Sequence, residues 1–568
     1  MSEAQPRRPV LEIILVAVVL LAGLALLYGN ALQAGLPRVS GDLYDGRIYI
    51  AVLEHWFGVV SGDHSPLSPP YFYPYPYTLS FGDGLVVAGL IYAVPRAVGF
   101  DPFVSYEISN AVICSIGFVG AYAVARRLLG VSIVFALFAA LVALLANSLT
   151  IRSVHAQLLF AAFFPIGILL VWPLFLGLTS SGGRSPRSTG TMLAAVGAVV
   201  FFFVWAMTSF YSLFAFVLFT LVVMATAMIA DPALRGRVWQ ALRRPSPALI
   251  VLAAGFAVAA VAVFALYSQS GHSGHSVSGM WHGARPVIEL INVGGSNWIW
   301  GDLMGPLMGL SETANPNDPY GFSPVFLAAF LLCTVWLVIA CRRDRPTVDG
   351  AGADRRVLAL GLAAGAVVLG LCAVRIGGFA LFQPLFVAIP GGSAIRLPVR
   401  FLLFAGPVVA LVTAYGLDAA ARRGWVPALA AVAVAVFILL EQGHDESTLR
   451  LDRHAEQAFL ESVPEPPEGC RSFYVYEPRV GPFGNEAMDR YYSHGVDAML
   501  LGSYLRLPTV NGMATFTPVG WTLAGPFEPD YLDRVAAYAE RHGISDGQCG
   551  LSLKESRWVE GVPGQATR

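Results

Sequence analysis

Eleven apolar runs constrain this chain more than any other feature. They lie near 11–29, 105–124, 131–149, 158–178, 191–208, 210–230, 248–267, 321–341, 357–374, 401–418 and 425–441. Each approaches the ~20 residues a helix needs to cross the ~30 Å hydrocarbon core of a bilayer. Of the 568 residues, 56% are hydrophobic and 13% charged, about half the ~25% charge of soluble domains. The fold class that follows is an α-helical polytopic membrane protein with about 11 transmembrane helices. The net charge of −1 leaves no basic footprint for nucleic acid. The single lysine, Lys554, excludes a Gly-Lys-Ser/Thr phosphate loop. The N-terminal run has no prompt small-residue cleavage site and reads as an uncleaved first span.

Arginine sets the expected orientation. Arg7/Arg8, Arg126/Arg127, Arg184/Arg187, Arg235/Arg237/Arg243/Arg244, Arg342/Arg343/Arg345/Arg355/Arg356 and Arg422/Arg423 fall in alternate short connections. By the positive-inside rule those connections face the cytoplasm. The parity holds only if 84–99, interrupted by Pro95–Arg96, stays on the outer side without crossing. Such a piece is tolerated where it packs on protein. The expected location is the cytoplasmic (inner) membrane, with the N-terminus inside and the C-terminus outside. The long segments 30–104, 268–320, 375–400 and 442–568 are then all outer.

Two domains follow: 1–441, a transmembrane domain with its first outer loop at 30–104, and 442–568, a small extracytoplasmic α/β domain. In the second, 471–478 reads as a strand and 529–543 as an amphipathic helix ending at glycine. Cys470 and Cys549, its only cysteines, pair as a disulfide in an oxidising compartment. The span interiors read as free of Asp, Glu, Lys, Arg and His, against the usual composition of ion-coupled transporters.

The ionisable groups gather outside. SGDLYDGRIYIAVLEHWF (40–57) carries Asp42, Asp45, Arg47, Glu54 and His55. Asp42 and Asp45, three apart, share one face of a helical turn. One carboxylate can deprotonate an acceptor hydroxyl, and the other can orient a substrate or hold a divalent cation. PLSPPYFYPYPYTLSFGDG (66–84) offers a stiff aromatic wall for a sugar ring or isoprenoid, and ends near Asp83. His155 and Gln157 can hydrogen-bond a substrate. Arg396 and Arg400 sit four apart at the outer interface, with Arg375 behind them, and suit a phosphate. His272, His275 and His282 have the residue type of a zinc site, but their Gly/Ser background reads as a loop.

The pattern GDLYDGRIYIAVLEHWF…FYPYPYTLSFGDG…YAVPRAVG, after a first span and before ten more, resembles the GT-C glycosyltransferases. The sharp part of the likeness is 41–99, within about 10–440. The resemblance implies a GT-C-like enzyme moving a sugar from a polyprenyl-phosphate carrier to an envelope glycan, lipid or protein acceptor outside the membrane. It puts Asp45 or Asp42 in the role of base, and implies no certain cofactor beyond the lipid-linked donor. The spacing here is Asp-x-x-Asp, not the tighter acidic pair of several such families. A lipid-linked glycan transporter or flippase would need polar residues lining the spans. A polysaccharide polymerase or ligase would share the outer arginines without needing the acidic pair.

Overall fold

The computed structural model describes residues 9–179, 189–271, 274–343, 348–349, 352–353, 355–446, 449–479 and 486–561. Arg7, Arg8, Arg184, Arg187, His272 and Arg345 lie outside the described residues. Among the described residues ten helices are long and apolar enough to cross a membrane: Val10–Gly29, Pro102–Leu128, Ile133–Arg152, Ala156–Thr179, Thr189–Thr208, Phe210–Ala230, Pro247–Tyr267, Pro324–Arg343, Arg355–Cys372 and Pro398–Ala421. The chain is a multi-pass membrane protein. Pro398–Ala421 is buried along most of its length, whereas Pro247–Tyr267 packs on Thr189–Thr208 and leaves most of its apolar side chains exposed.

The eleventh expected span, Trp425–Leu440, has only 16 residues, or about 24 Å of helix. Its ends nonetheless reach both faces of the bundle. Just before it, Asp418 Oδ1 accepts the Ser132 N–H at 3.1 Å; just after it, Gln442 Oε1 accepts the Asn147 N–H at 3.1 Å. Ser132 and Asn147 bracket the neighbouring Ile133–Leu145 helix, so the two helices cover the same depth.

Residues 84–99 form only a 12-residue helix, Val86–Ala97, about 18 Å long and too short to cross. It packs on the Asp45–Ser61 helix and on Pro102–Ala123. Trp56 Nε1 donates to Gly84 O at 2.7 Å. Glu54 binds both the Arg96 guanidinium and the Tyr92 hydroxyl.

Beyond Leu440 the chain builds a three-stranded sheet. Gln548–Ser552 lies between Ser472–Glu477, parallel to it, and Arg557–Glu560, antiparallel. Helices Glu486–Leu505 and Tyr531–His542 belong to this part, the latter closed by Gly543 in the left-handed region (φ +66°), where glycine carries no Cβ penalty. Cys470 and Cys549 are bonded, with Cα atoms 5.8 Å apart.

This C-terminal part is threaded into the first outer loop. Arg38–Val39 pairs antiparallel with Leu451–Asp452. Phe72 N donates to Asn511 O at 3.0 Å, Tyr73 N to Thr509 O at 2.9 Å, and Phe516 N to Phe81 O at 3.0 Å. The Asp45–Ser61 helix lies along Glu486–Leu505. At their crossing Arg47, fully buried, pairs with Glu456 at 2.8 Å and with Asp497. Arg479 joins the same two acids, at 3.7 Å and 2.8 Å. The expected boundary at 441/442 therefore carries main-chain pairing across it.

Candidate active site

The approach to the Asp45–Ser61 helix is fixed by backbone geometry. Gly41 adopts φ +101°. A Cβ on either Gly41 or Gly46 would lie 2.9 Å from the other's Cα, so the turn closes only with glycine at both positions. Ser40 is clamped by Glu107: its N–H donates to Oε2 at 2.6 Å and its hydroxyl to Oε1 at 2.7 Å. Glu107 is buried within the Pro102–Ala123 helix. This corrects the expectation that the span interiors hold no ionisable residue, because this carboxylate is retained by the loop it grips.

Asp42 and Asp45 come together and divide their work. Asp42 Oδ1 accepts the N–H groups of Tyr44 (3.0 Å) and Gly46 (3.1 Å), satisfying donors that a helix start leaves open. Asp45 is the first helical residue. Its Oδ2 lies 2.6 Å from His155 Nδ1, and its side chain is 37% exposed. Burial pushes the Asp45 carboxyl up, but the His155 hydrogen bond and the charges of His155, Arg400 and Arg396 outweigh it and hold the group below the usual carboxylate range. Asp42 moves upward, through burial and the neighbouring Asp45 charge, against the Gly46 N–H. Two adjacent carboxyls driven apart in acidity suit different roles.

Arg400 and Arg396 face Asp45 electrostatically. Tyr211 holds their segment: its hydroxyl accepts the Leu397 N–H at 2.7 Å, and the Arg400 guanidinium lies 5.7 Å from its ring centroid. Arg400 Nε is buried with no hydrogen-bond partner, an orphaned donor that calls for an explanation. Asp83 sits at the turn between Thr189–Thr208 and Phe210–Ala230, where its Oδ1 accepts the Phe210 N–H at 3.1 Å. Burial pushes its carboxyl up to about 6, against the Arg400 charge. Tyr49, one turn after Asp45, has its phenol pushed up by burial and by Asp45, with Arg400 opposing and Asp83 adding. It joins the site unforeseen, although its i+4 spacing from Asp45 was a usable signal. Gln157 lies two residues beyond His155, buried, with Oε1 unpartnered. On the rim, Arg152 and Arg285 both pair with Asp318, and Arg152 lies 4.5 Å from the Tyr320 ring centroid.

Other expected site residues lie elsewhere. Arg47 serves the C-terminal part, and Glu54 serves Arg96 and Tyr92. His55 is fully buried and stacked on His64 at 5.4 Å. Burial lowers its pKa to about 3, so the ring stays neutral. All three side chains are engaged by partners within the protein, away from Asp45 and His155. Arg375 is committed to Trp281, 4.1 Å from its ring centroid and donating to its carbonyl at 3.1 Å. Tyr71 and Phe72 of the aromatic loop are buried, Phe72 against the C-terminal part. His275 stacks on Phe516, and His282 Nδ1 lies 2.7 Å from Ser278 O. Among the described residues no three His, Cys, Asp or Glu side chains converge as metal ligands.

The fold defines the class: a multi-pass helical membrane scaffold that carries a cluster of charged side chains between its first outer loop and the segment before Pro398–Ala421. No family model matches the chain, and no curated protein matches it in sequence. Among solved structures it is similar to the archaeal oligosaccharyltransferase AglB from Archaeoglobus fulgidus in complex with an inhibitory peptide and a dolichol-phosphate. The TM-score is 0.51 and the identity 11%, over 95% of this chain and 69% of that one. The Archaeoglobus fulgidus oligosaccharyltransferase complex with Zn and sulfate matches at 0.43 and 14%, over 84% of this chain and 59% of that one. The chain thus spans 59% to 69% of that protein's length in these two structures. ArnT from Cupriavidus metallidurans bound to undecaprenyl phosphate matches at 0.37 and 15%, over 96% and 92%. At such identities the likeness is one of fold, and the AglB complex carries it.

Proposed function

We propose that this chain is a membrane glycosyltransferase that moves a sugar from a polyprenyl-phosphate carrier to an envelope glycan, lipid or protein acceptor on the outer face of the cytoplasmic membrane. The observation that carries the reading is a partly exposed Asp45 carboxylate, held by His155 and within electrostatic reach of Arg400, an arginine whose buried Nε has no partner among the described residues. The Asp45 carboxylate accepts the proton of an acceptor hydroxyl as that oxygen bonds to the anomeric carbon. The bond from that carbon to the carrier phosphate breaks, and its electron pair leaves with the phosphate. Arg400 and Arg396 stabilise the charge that develops there. His155 holds the Asp45 carboxylate in place, and Asp42 builds the turn that presents it. The dolichol-phosphate in the AglB complex supports a lipid-phosphate donor. The arginine distribution and the Cys470–Cys549 bond support the outer placement.

The test is sugar transfer by the full chain in nanodiscs, with radiolabelled polyprenyl-phosphate sugars and total envelope glycan as acceptor. Asp45→Asn should cost about 10²–10⁴-fold, the usual worth of a general base. Asp42→Asn keeps an oxygen for the Tyr44 and Gly46 N–H groups and should cost far less. Near wild-type transfer by a folded Asp45→Asn protein would refute the assignment.

A further inference from the structure

A second recessed site lies beside the first and is not used in the scheme above. Tyr75, Pro76, Tyr77, Phe81, Gln269, Pro518 and Val519 line an open cleft of about 140 Å³. Three separate segments build it: the first outer loop, the chain just beyond the Pro247–Tyr267 helix, and the C-terminal part. The cleft is pinned from two sides, by Tyr75 Oη donating to Val519 O at 3.3 Å and by Phe516 N donating to Phe81 O at 3.0 Å. It adjoins the candidate active site. Phe81 is two residues from Asp83, and Gln269 is two residues from Tyr267, which lies within electrostatic reach of Asp83.

Tyr77 is held there at a conformational cost. Its backbone sits in the left-handed region (φ 58°, ψ 28°), which an aromatic residue rarely adopts. Three hydrogen bonds enforce that conformation. Its N–H donates to Ser68 Oγ at 3.0 Å, and its carbonyl accepts from Ser80 N (2.9 Å) and Ser80 Oγ (2.8 Å). The result is a large aromatic ring left 41% exposed where burial was available to its neighbours Tyr71 and Phe72. Strain maintained by surrounding bonds is a mark of functional positions.

We propose that this cleft binds a pyranose unit of the acceptor, so that the acceptor of the reaction proposed above is a glycan. A sugar ring has an apolar C–H face and a polar hydroxyl edge. The Tyr77 ring matches the first, and the Tyr77 phenol and the Gln269 carboxamide oxygen match the second, the Gln269 Nε2 being committed to Ala265 O at 3.1 Å. The volume is well below the ~300 Å³ at which sites for drug-sized ligands begin, so the cleft holds one ring rather than an extended chain. A lipid tail would select a wholly apolar groove, which this mixture of phenols, amide and prolines is not. The prolines at 76 and 518 keep the walls rigid, which limits the entropy lost on binding.

Saturation-transfer difference NMR on the full chain in nanodiscs tests this. The probes are the methyl α- and β-glycosides of glucose, galactose, mannose, rhamnose and N-acetylglucosamine. At least one should receive saturation on its ring C–H protons. Tyr77→Ala should weaken it about tenfold, in line with the loss of one stacking ring, and Tyr77→Phe should retain it. Thermal midpoints within the error of wild type show that both variants are folded. Absence of binding by every glycoside, or binding indifferent to Tyr77→Ala, overturns the proposal. Broadening of the ring signals by paramagnetic lipid without glycoside binding would overturn it in favour of a membrane anchor. Because the readout is binding, transfer activity without glycoside binding sinks this inference alone. Glycoside binding by a protein inert to every lipid-linked donor sinks only the proposed transfer.

Discussion

Replacing Arg47 by alanine removes one of two guanidinium groups from a buried knot that holds two carboxylates. Arg47 is fully buried, Glu456 is 3% exposed and Asp497 fully buried, with Arg479 as the second cation. At 2.8 Å and an effective dielectric near 20, the Arg47–Glu456 attraction is about 6 kcal/mol before desolvation is counted. Most of that gross figure offsets the burial of the charges. Its loss without that compensation leaves a carboxylate stranded, at a net cost of ~3–5 kcal/mol. The Phe459 ring, 5.4 Å from the Arg47 guanidinium and 3.8 Å from that of Arg479, also loses a face of its packing. The assay is thermal unfolding in nanodiscs followed by limited proteolysis, which reports release of the C-terminal part. A loss of that size corresponds to a fall of roughly 10 °C in midpoint. The double variant Arg47→Met, Glu456→Gln removes charge from both sides and should recover most of it. The knot also carries an acid dependence. Burial pushes the Asp497 carboxyl up, but Arg47 and Arg479 outweigh this and depress it. Its stabilisation is therefore present above the ordinary carboxylate pKa of ~4 and is lost as pH falls through the depressed value. A single variant within about 1 kcal/mol of wild type, or a double variant no better than the single, would refute this reasoning.

Two further outcomes follow from residues near the site and in the C-terminal part. The Asp83 carboxyl, raised to about 6 by burial, gives stability that is fully present below its unfolded pKa of ~4 and lost as pH rises through about 6, at most about 3 kcal/mol in all. Asp83→Asn keeps an oxygen for the Phe210 N–H, so its midpoint should exceed wild type at pH 7.5 and equal it at pH 4; equal midpoints at both pH values would count against the raised pKa. Reducing Cys470–Cys549, which closes a separation of 79 residues, should cost the C-terminal part about 4 kcal/mol in the chain-entropy picture, seen as a lower midpoint together with a change in gel mobility on reduction and alkylation.

The membrane plan was legible because apolar length is a strong, local signal: among the described residues ten long helices fall where the runs lie, and Val86–Ala97 is short, although it continues through Pro95–Arg96. The strand at Ser472–Glu477 and the helix at Tyr531–His542 were legible for the same reason. Within 40–57, composition marked a charged segment without saying which charges face one another. Arg47 lies about 200° around the helix from Asp45 and Glu54 about 180°, so both point away from the site, while Tyr49 returns to it. Their partners, Glu456, Asp497 and Arg96, lie in other segments, and no periodicity within the loop reveals them. Glu107 was hidden for the opposite reason. One carboxylate in an apolar run barely alters the average, and its purpose shows only when Ser40 is seen seated on both its oxygens. The aromatic loop was read as one wall, whereas Tyr71 and Phe72 are buried and Tyr77 is exposed, although Phe72 and Tyr77 share the left-handed backbone region.

The threading of the first outer loop through the C-terminal part sets a timetable for biogenesis. Tyr538 donates to the carbonyl of Tyr73 across a separation of 465 residues. At ~5–20 residues per second, roughly 25–90 s of synthesis divide the two partners. Throughout that interval the segment bearing Asp45 has already been delivered, and Arg47 lacks the carboxylates that will neutralise it. Every later helix must be inserted before the loop acquires its mate. The segment that carries Asp45 is thus among the last to mature, and a ribosome that stalls before Glu456 and Asp497 are made leaves a scaffold in which Arg47 has neither of its carboxylates.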